Sequence, residues 1–300
     1  MIIDQPGKVT DNITMLGKKA SCVYLLDGGE ACAILGGGLA YLIPGIEGQL
    51  AEMEIDPEKI KQLVIQHAHF DHCGIVPYFK KKWPWLEIVA SAKAKTLLST
   101  PKVAASIEKF NRRHLEEVLP QVKSGDLCIE NFHIEVEKVV GDGDTLQCGG
   151  LRMQVLETPG HSTCSISVYV PEEKAMFASD AAGIALGEGV FTTANSSFDQ
   201  YQASLEKIFE YDPEIILAEH QGARTGEDCR KFMQISRQSA REMRERVESS
   251  FARTGDIGRS TDEITTQLMA SAPDGFLPAW VVKLVVGGMV YQTSRRVSKV

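Results

Sequence analysis

Apolar residues along this chain fall into two regimes. Through most of its length they form short, often β-branched runs divided by turn residues, and towards the end they recur at helical spacing. Segments 12–16, 21–26 and 31–35 read as strands, separated by Gly17, by Asp27-Gly28-Gly29 and by Gly36-Gly37-Gly38. Segment 60–66 (IKQLVIQ) reads as a buried strand running into a histidine-rich loop, with a helix opening at 74–81 and a strand at 87–90. Residues 91–119 have a helical pattern that Pro101 breaks and Pro120 ends. Strands are expected at 132–140, 151–157, 165–169 and 175–179, then a helix at 199–211 and a strand at 214–218. The remainder predicts helices at 227–251, 261–270 and 279–293, the last entered through Pro278. Strands with interspersed helices, then helices alone, predict an α/β core over 1–225 and a helical C-terminal extension over 226–300.

Composition narrows the classes. A chain of 300 residues, 43% hydrophobic and 24% charged, has ample material for a buried core and is not disordered. With 32 Lys+Arg against 40 Asp+Glu, a net charge of -8 argues against a broad nucleic-acid-binding surface. Residues 1–20 contain Asp4, Lys8 and Asp11 and no signal-like apolar run. The longest apolar stretch, 279–290, is broken by Lys283 and too short to span a bilayer. The seven cysteines, at 22, 32, 73, 128, 148, 164 and 229, form no CxxC pair and read as reduced thiols. The expectation is a soluble cytoplasmic protein without membrane or nucleic-acid partners; a homodimer stays open.

The chemistry lies in the histidines. Seven are present, at 67, 69, 72, 114, 133, 161 and 220, and three crowd into His67-Ala68-His69-Phe70-Asp71-His72. Just past a strand, residues two apart point the same way, so His67 and His69 can hold one ion. Asp71 and His72 diverge and can reach a second beside it. Three more apolar runs end in one strong ligand each: Thr158-Pro159-Gly160-His161-Ser162, Asp180, and Glu219-His220-Gln221-Gly222. The simplest assembly places His67, His69 and His161 on one ion and Asp71, His72 and His220 on another. Asp180 bridges them, because two divalent cations about 3.5–4 Å apart need an anion between them. Imidazole and carboxylate suit zinc, iron or manganese. His114 and His133 match no ligand pattern. Cys73 and Cys164, although close to ligands, read as buried filler.

HAHFDH, then TPGHS, then Ser-Asp after an apolar strand, then EHQG, resembles the metallo-β-lactamase-fold hydrolase superfamily in its glyoxalase II-like HxHxDH branch. The similarity runs over most of 10–225 and includes Tyr201-x-x-Ser204-Leu205. It implies a four-layer αββα sandwich with a dinuclear site at one edge of the two sheets. His72-Cys73-Gly74-Ile75-Val76-Pro77-Tyr78, the helical C-terminus and Phe276-Leu277-Pro278 are also similar to thioesterases of the pseudomonad quinolone-signal response, which favours thioester substrates. The sequence departs from the superfamily pattern at three places. Leu35-Gly36-Gly37-Gly38 stands where an Asp supports the site in many members, and Ser179 and Glu219 stand where glycine is usual.

The resemblance implies hydrolysis of a thioester or ester of a small acyl compound by a hydroxide shared between the two metals, with Asp71 orienting it and carrying a proton to the leaving group. Three other readings compete. One is a persulfide-type dioxygenase with a single iron on His67, His161 and Asp180, which leaves Asp71, His72 and His220 without a purpose. Another is a lactonase, weakened because Ala181-Ala182-Gly183-Ile184 carry no tyrosine. The last is a metal-stabilised regulatory protein acting through a partner. Trp280, Val281, Leu284, Val285 and Met289 form an apolar stripe that either packs as ordinary core or lids the site. Basic residues from Arg230 to Arg246, interleaved with Glu242 and Glu245, read as a solvated face or as a site for an anionic substrate tail.

Overall fold

Apolar runs without polar alternation need cover on both faces of a sheet, and the computed structural model, which describes residues 1–273 and 276–297, supplies it. After a two-residue strand β1 (Ile2–Ile3), one sheet runs in chain order. It comprises β2 (Gly7–Lys8), β3 (Ile13–Lys18), β4 (Ser21–Asp27), β5 (Cys32–Leu35), β6 (Ile60–Val64), β7 (Glu87–Ser91) and β8 (Lys138–Val140). It is antiparallel from β2 to β5 and parallel from β5 to β8. Helices α1 (Ile43–Glu52), α2 (Val76–Lys82), α3 (Ala92–Leu98) and α4 (Pro101–Val118) lie along this part of the chain.

The second half adds β9 (Thr145–Cys148), β10 (Leu151–Glu157), β11 (Ile166–Val170), β12 (Ala175–Phe177), a separate hairpin β13 (Ile184–Leu186) and β14 (Gly189–Phe191), α5 (Phe198–Glu210), β15 (Ile215–Leu217) and β16 (Ala223–Thr225). The second sheet has the order β1-β16-β15-β12-β11-β10-β9, with β12 and β15 parallel. Three helices end the chain: α6 (Gly226–Thr254), α7 (Ile257–Ser271) and α8 (Ala279–Val297). The corner between α6 and α7 is made by Gly255 in the left-handed region and by Asp256, whose side chain accepts from the Arg259 amide at 2.7 Å.

Three apolar clusters define four layers. Met15, Tyr24 and Val64 of the first sheet meet Met153, Val168 and Phe177 of the second. Leu25 and Ile34 on the outer face of the first sheet pack under Ile46, Phe79 and Ile107 of the helices. Met176 and Ile216 do the same for Tyr201, Phe232 and Val282 on the far side. The fold is therefore the α/β sandwich expected, with a helical C-terminal region. No helix among the described residues is long and apolar enough to cross a membrane.

The sequence pattern does not predict the short strands β1, β2, β9, β13, β14 and β16, and two further differences have a local cause. Segment 132–140 joins the sheet only over Lys138–Val140. Phe132, Ile134 and Val136 keep the buried alternation, but β7 begins at Glu87 and pairs Val89 with Lys138, so the earlier residues run past the end of their parallel partner. Helix α1 (IPGIEGQLAE) escapes the sequence reading because Gly45 and Gly48 dilute its helical signal.

Candidate metal centre

All four chain segments carrying predicted ligands reach one edge of the sandwich, past the carboxyl ends of β6, β10, β12 and β15. Two buried amides fix that edge. Gln66 Nε2 donates to the Phe177 carbonyl at 2.7 Å, and the Ile166 amide donates to Gln66 O at 2.8 Å, which ties the sheets together beside His67. Asn111 of α4 donates to Phe70 O at 2.7 Å and accepts from the Ala40 amide at 2.8 Å, anchoring the histidine-rich loop. Gly160 turns the chain into His161 with φ +127°, and a Cβ there would stand 2.2 Å from the Tyr201 amide nitrogen.

Backbone carbonyls set the ring orientations. His161 Nδ1 donates to Thr193 O at 2.8 Å, so its Nε2 carries a lone pair. That Nε2 lies 3.1 Å from His67 Nε2 and 2.9 Å from His69 Nδ1. His220 Nδ1 donates to Ala20 O at 2.7 Å and turns its Nε2 to His72 Nε2 at 3.3 Å and Asp71 Oδ2 at 3.5 Å. Asp180 stands between the two groups, with Oδ2 3.4 Å from His72 Nε2 and 3.5 Å from His161 Nε2, and Oδ1 3.9 Å from His220 Nε2. All seven predicted residues converge.

These residues fit divalent metal. Asp180 Oδ1 is buried without a hydrogen-bond partner, which is costly unless a cation meets it. Two ligands about 2.0–2.1 Å from one tetrahedral ion stand about 3.3 Å apart, close to the spacings here. His67, His69 and His161 form one group able to hold an ion, and Asp71, His72 and His220 form another.

The electrostatics divide the same way. Burial, reinforced by neighbouring imidazoles, pushes His67 well below the usual range and His69 down to about 3, so both are neutral donors of lone pairs. Burial alone would raise Asp71 and Asp180, but the adjacent His72 and His220 outweigh it and keep both carboxyls ionised. Burial likewise opposes charge on His72 and His220, yet the carboxylates around them hold both above the ordinary value.

A cavity of about 580 Å³ opens onto His69, Asp71, His161, Asp180 and His220. Its other walls are largely apolar, with Phe70, Phe110, Ile184, Val281 and Leu284 among them. Trp280 of α8 stacks on Phe110 of α4 at 5.3 Å between ring centroids, and the Arg113 guanidinium lies 4.4 Å from the Trp280 ring centroid. Of the apolar stripe on α8, Val281, Val285 and Met289 are buried, while Leu284 is half exposed at the cavity rim.

Residues set aside in the sequence lie outside the metal centre. His114 Nδ1 donates to Phe110 O at 2.9 Å, and His133 lies exposed ahead of β8. Cys73 and Cys164 are buried, and burial raises the Cys73 thiol well above its ordinary pKa. Arg230, Lys231, Arg237 and Arg244 pair with Glu227, Glu188, Glu206 and Glu248, as a solvated face does. The sequence reading missed Gln66, Asn111 and the carbonyls of Thr193 and Ala20, which carry no signal of type or spacing.

Two sheets packed face to face between helices, with a histidine–aspartate cluster at their shared edge, define a metallo-hydrolase architecture. The chain belongs to the metallo-beta-lactamase superfamily, whose family model matches residues 16–220. It is 28% identical over 189 residues to a metallo-beta-lactamase fold-containing protein of Sulfurisphaera tokodaii, a match over 59% of this chain and 66% of that one. It is 25% identical to acyl-coenzyme A thioesterase MBLAC2 of Gallus gallus, over 49% of this chain and 50% of the relative. A hydroxyacylglutathione hydrolase of Rhodopseudomonas palustris is 28% identical over 44% of this chain and 37% of its own length. The chain thus spans between about a third and two thirds of these relatives. Among solved structures, a metallo-beta-lactamase family protein of Thermus thermophilus superposes with a TM-score of 0.64 at 18% identity, over 98% of this chain and 93% of the other. That likeness extends the shared fold into the C-terminal helices.

Proposed function

We propose that this chain is a metal-dependent hydrolase cleaving a thioester or ester of a small acyl compound at a dinuclear centre. His67, His69 and His161 would hold one ion and Asp71, His72 and His220 the other, with Asp180 placed to serve both. The observation that carries this reading is Asp180, whose two oxygens lie within 4 Å of histidines from both groups at the floor of an apolar cavity. When bound, a pair of divalent cations supplies a water whose pKa is lowered from 15.7 to about 7 and polarises the carbonyl under attack.

The chain's residues do the rest. Asp71, ionised and at the cavity wall, orients the attacking water, accepts its proton and passes it to the leaving group. A thiolate leaving group needs little of that help, which favours thioesters. Phe70, Phe110 and Val281 seat the acyl part and exclude water from it. Residues 226–300 thereby act as a cap on the catalytic domain 1–225. Relatives named as thioesterases support the same substrate class.

The test is a panel of acyl thioesters and aryl esters, with metal content measured by elemental analysis on the same protein. Two ions per chain, with turnover on thioesters that falls at least about 100-fold in Asp71→Asn, is the expected result. A protein that holds two ions and hydrolyses nothing in the panel would refute the proposal. One iron per chain with oxygen-dependent turnover would replace it with the dioxygenase reading.

A further inference from the structure

The three departures from the superfamily pattern meet at one point behind the metal centre. Glu219, 1% exposed and directly before His220, turns its carboxylate away from the cavity. Its Oε1 accepts a hydrogen bond from Ser179 Oγ at 2.7 Å and lies 3.0 Å from His72 Nδ1, within ion-pair distance. Having given its single proton to Glu219, the Ser179 hydroxyl can only accept from the two rings beside it, His67 Nδ1 at 3.4 Å and His72 Nδ1 at 3.5 Å. Space for the carboxylate exists because residue 36 is glycine: a Cβ there would come within 2.6 Å of Glu219 Oε2. Ser179 keeps its hydroxyl at φ +48°, a backbone conformation that favours glycine.

We infer that Glu219 is a positioning residue for both metal groups, holding His72 by direct contact and through the Ser179 hydroxyl, and His67 through that hydroxyl, so that Nε2 of each ring faces its ion. A carboxylate that takes the far ring proton fixes the tautomer and orientation of a ligating histidine and raises its basicity. Here one carboxylate serves a ligand from each group, because His67 and His72 present their Nδ1 atoms to the same side. Ser179 and Glu219 are therefore one hydrogen-bonded device seated in the space Gly36 leaves, and the Asp absent from the 35–38 loop is replaced by a carboxylate arriving from the opposite sheet.

This inference rests on the metal-centre reading above, and the experiment separates the two. Metal-free wild type, Glu219→Gln and Ser179→Ala are titrated with Zn²⁺ against a chromophoric chelator, with circular dichroism and the unfolding midpoint of each metal-free protein recorded. Wild type should bind two ions. Glu219→Gln, nearly isosteric, should bind both about 10–100-fold more weakly. Ser179→Ala, which removes the link to His67 but leaves His72 its direct contact with Glu219, should weaken one step by a similar factor and the other by clearly less. It also keeps the test decisive if the Glu219 variant fails to fold. Wild-type affinity at both steps in Glu219→Gln, equal loss at both steps in Ser179→Ala, or a third ion on the wild-type chain, which would make Glu219 a ligand, overturns the inference alone. A wild type that binds no ion overturns the metal-centre reading and this with it.

Discussion

Leu284 offers the sharpest probe of whether α8 shapes the substrate pocket. Deleting the helix is a poor test. Val282, Val286, Met289 and Val290 are fully buried in the cluster that joins α8 to α5 and α6. At about 1.5–3 kcal/mol for each such side chain, losing these four withdraws about 6–12 kcal/mol, comparable to the whole stability of a domain. Leu284 is 55% exposed and lies at the cavity rim, so shortening it spares the core. Leu284→Ala removes three carbons at about 0.8 kcal/mol per buried CH₂, and exposure halves that to about 1 kcal/mol. The loss should fall only on acyl chains long enough to touch α8. The expected outcome is a kcat/KM for an octanoyl thioester lowered about fivefold relative to an acetyl thioester. The unfolding midpoint should drop by no more than about 4 °C. Equal proportional change on both substrates, or none on either, would refute α8 as a pocket wall.

Other perturbations test the centre itself. Asp180→Ala should reduce metal content toward one ion or none, because the cations lose the anion between them; full occupancy by elemental analysis would contradict its bridging role. Gly160→Ala should displace His161 and destabilise the fold by more than about 2 kcal/mol, since its Cβ meets the Tyr201 backbone at a positive φ; chemical denaturation reads the cost. Burial raises the Cys73 pKa, so this group stays a protonated thiol through neutral and mildly alkaline pH. Turnover should therefore survive iodoacetamide treatment at pH 7.5, and mass spectrometry should find Cys73 unmodified in the folded protein.

What could be read from the sequence, and what could not, follows from how tightly each role constrains residue type. A metal ligand must be one of a few atoms, and His67-x-His69-x-Asp71-His72 after a strand combines four of them at a spacing the strand geometry dictates. His161, Asp180 and His220 were recognisable because each ends an apolar run, and the fold gathers the carboxyl ends of such runs at one edge. The strand order and the position of α8 over the cavity depend on contacts between distant segments, and no local pattern encodes them. Segment 132–140 shows the converse: its alternation is real, but whether alternation becomes a ladder depends on where a neighbouring strand begins.

Supporting roles are freer still, since any group with the right donor or acceptor can fill them from any direction. A backbone carbonyl does so for His161 and His220, and it belongs to a threonine in one case and an alanine in the other. Read singly, Gly36, Ser179 and Glu219 each remove something expected of a metal-supporting shell. Joined by a 2.7 Å hydrogen bond and by the space a missing side chain leaves, they restore it. The compensation is invisible in one dimension because 40 residues separate Ser179 from Glu219 and Gly36 lies in the other sheet's half of the chain. A departure from a family pattern near a metal site is thus evidence of lost tuning only after the volume it vacates has been checked for another carboxylate.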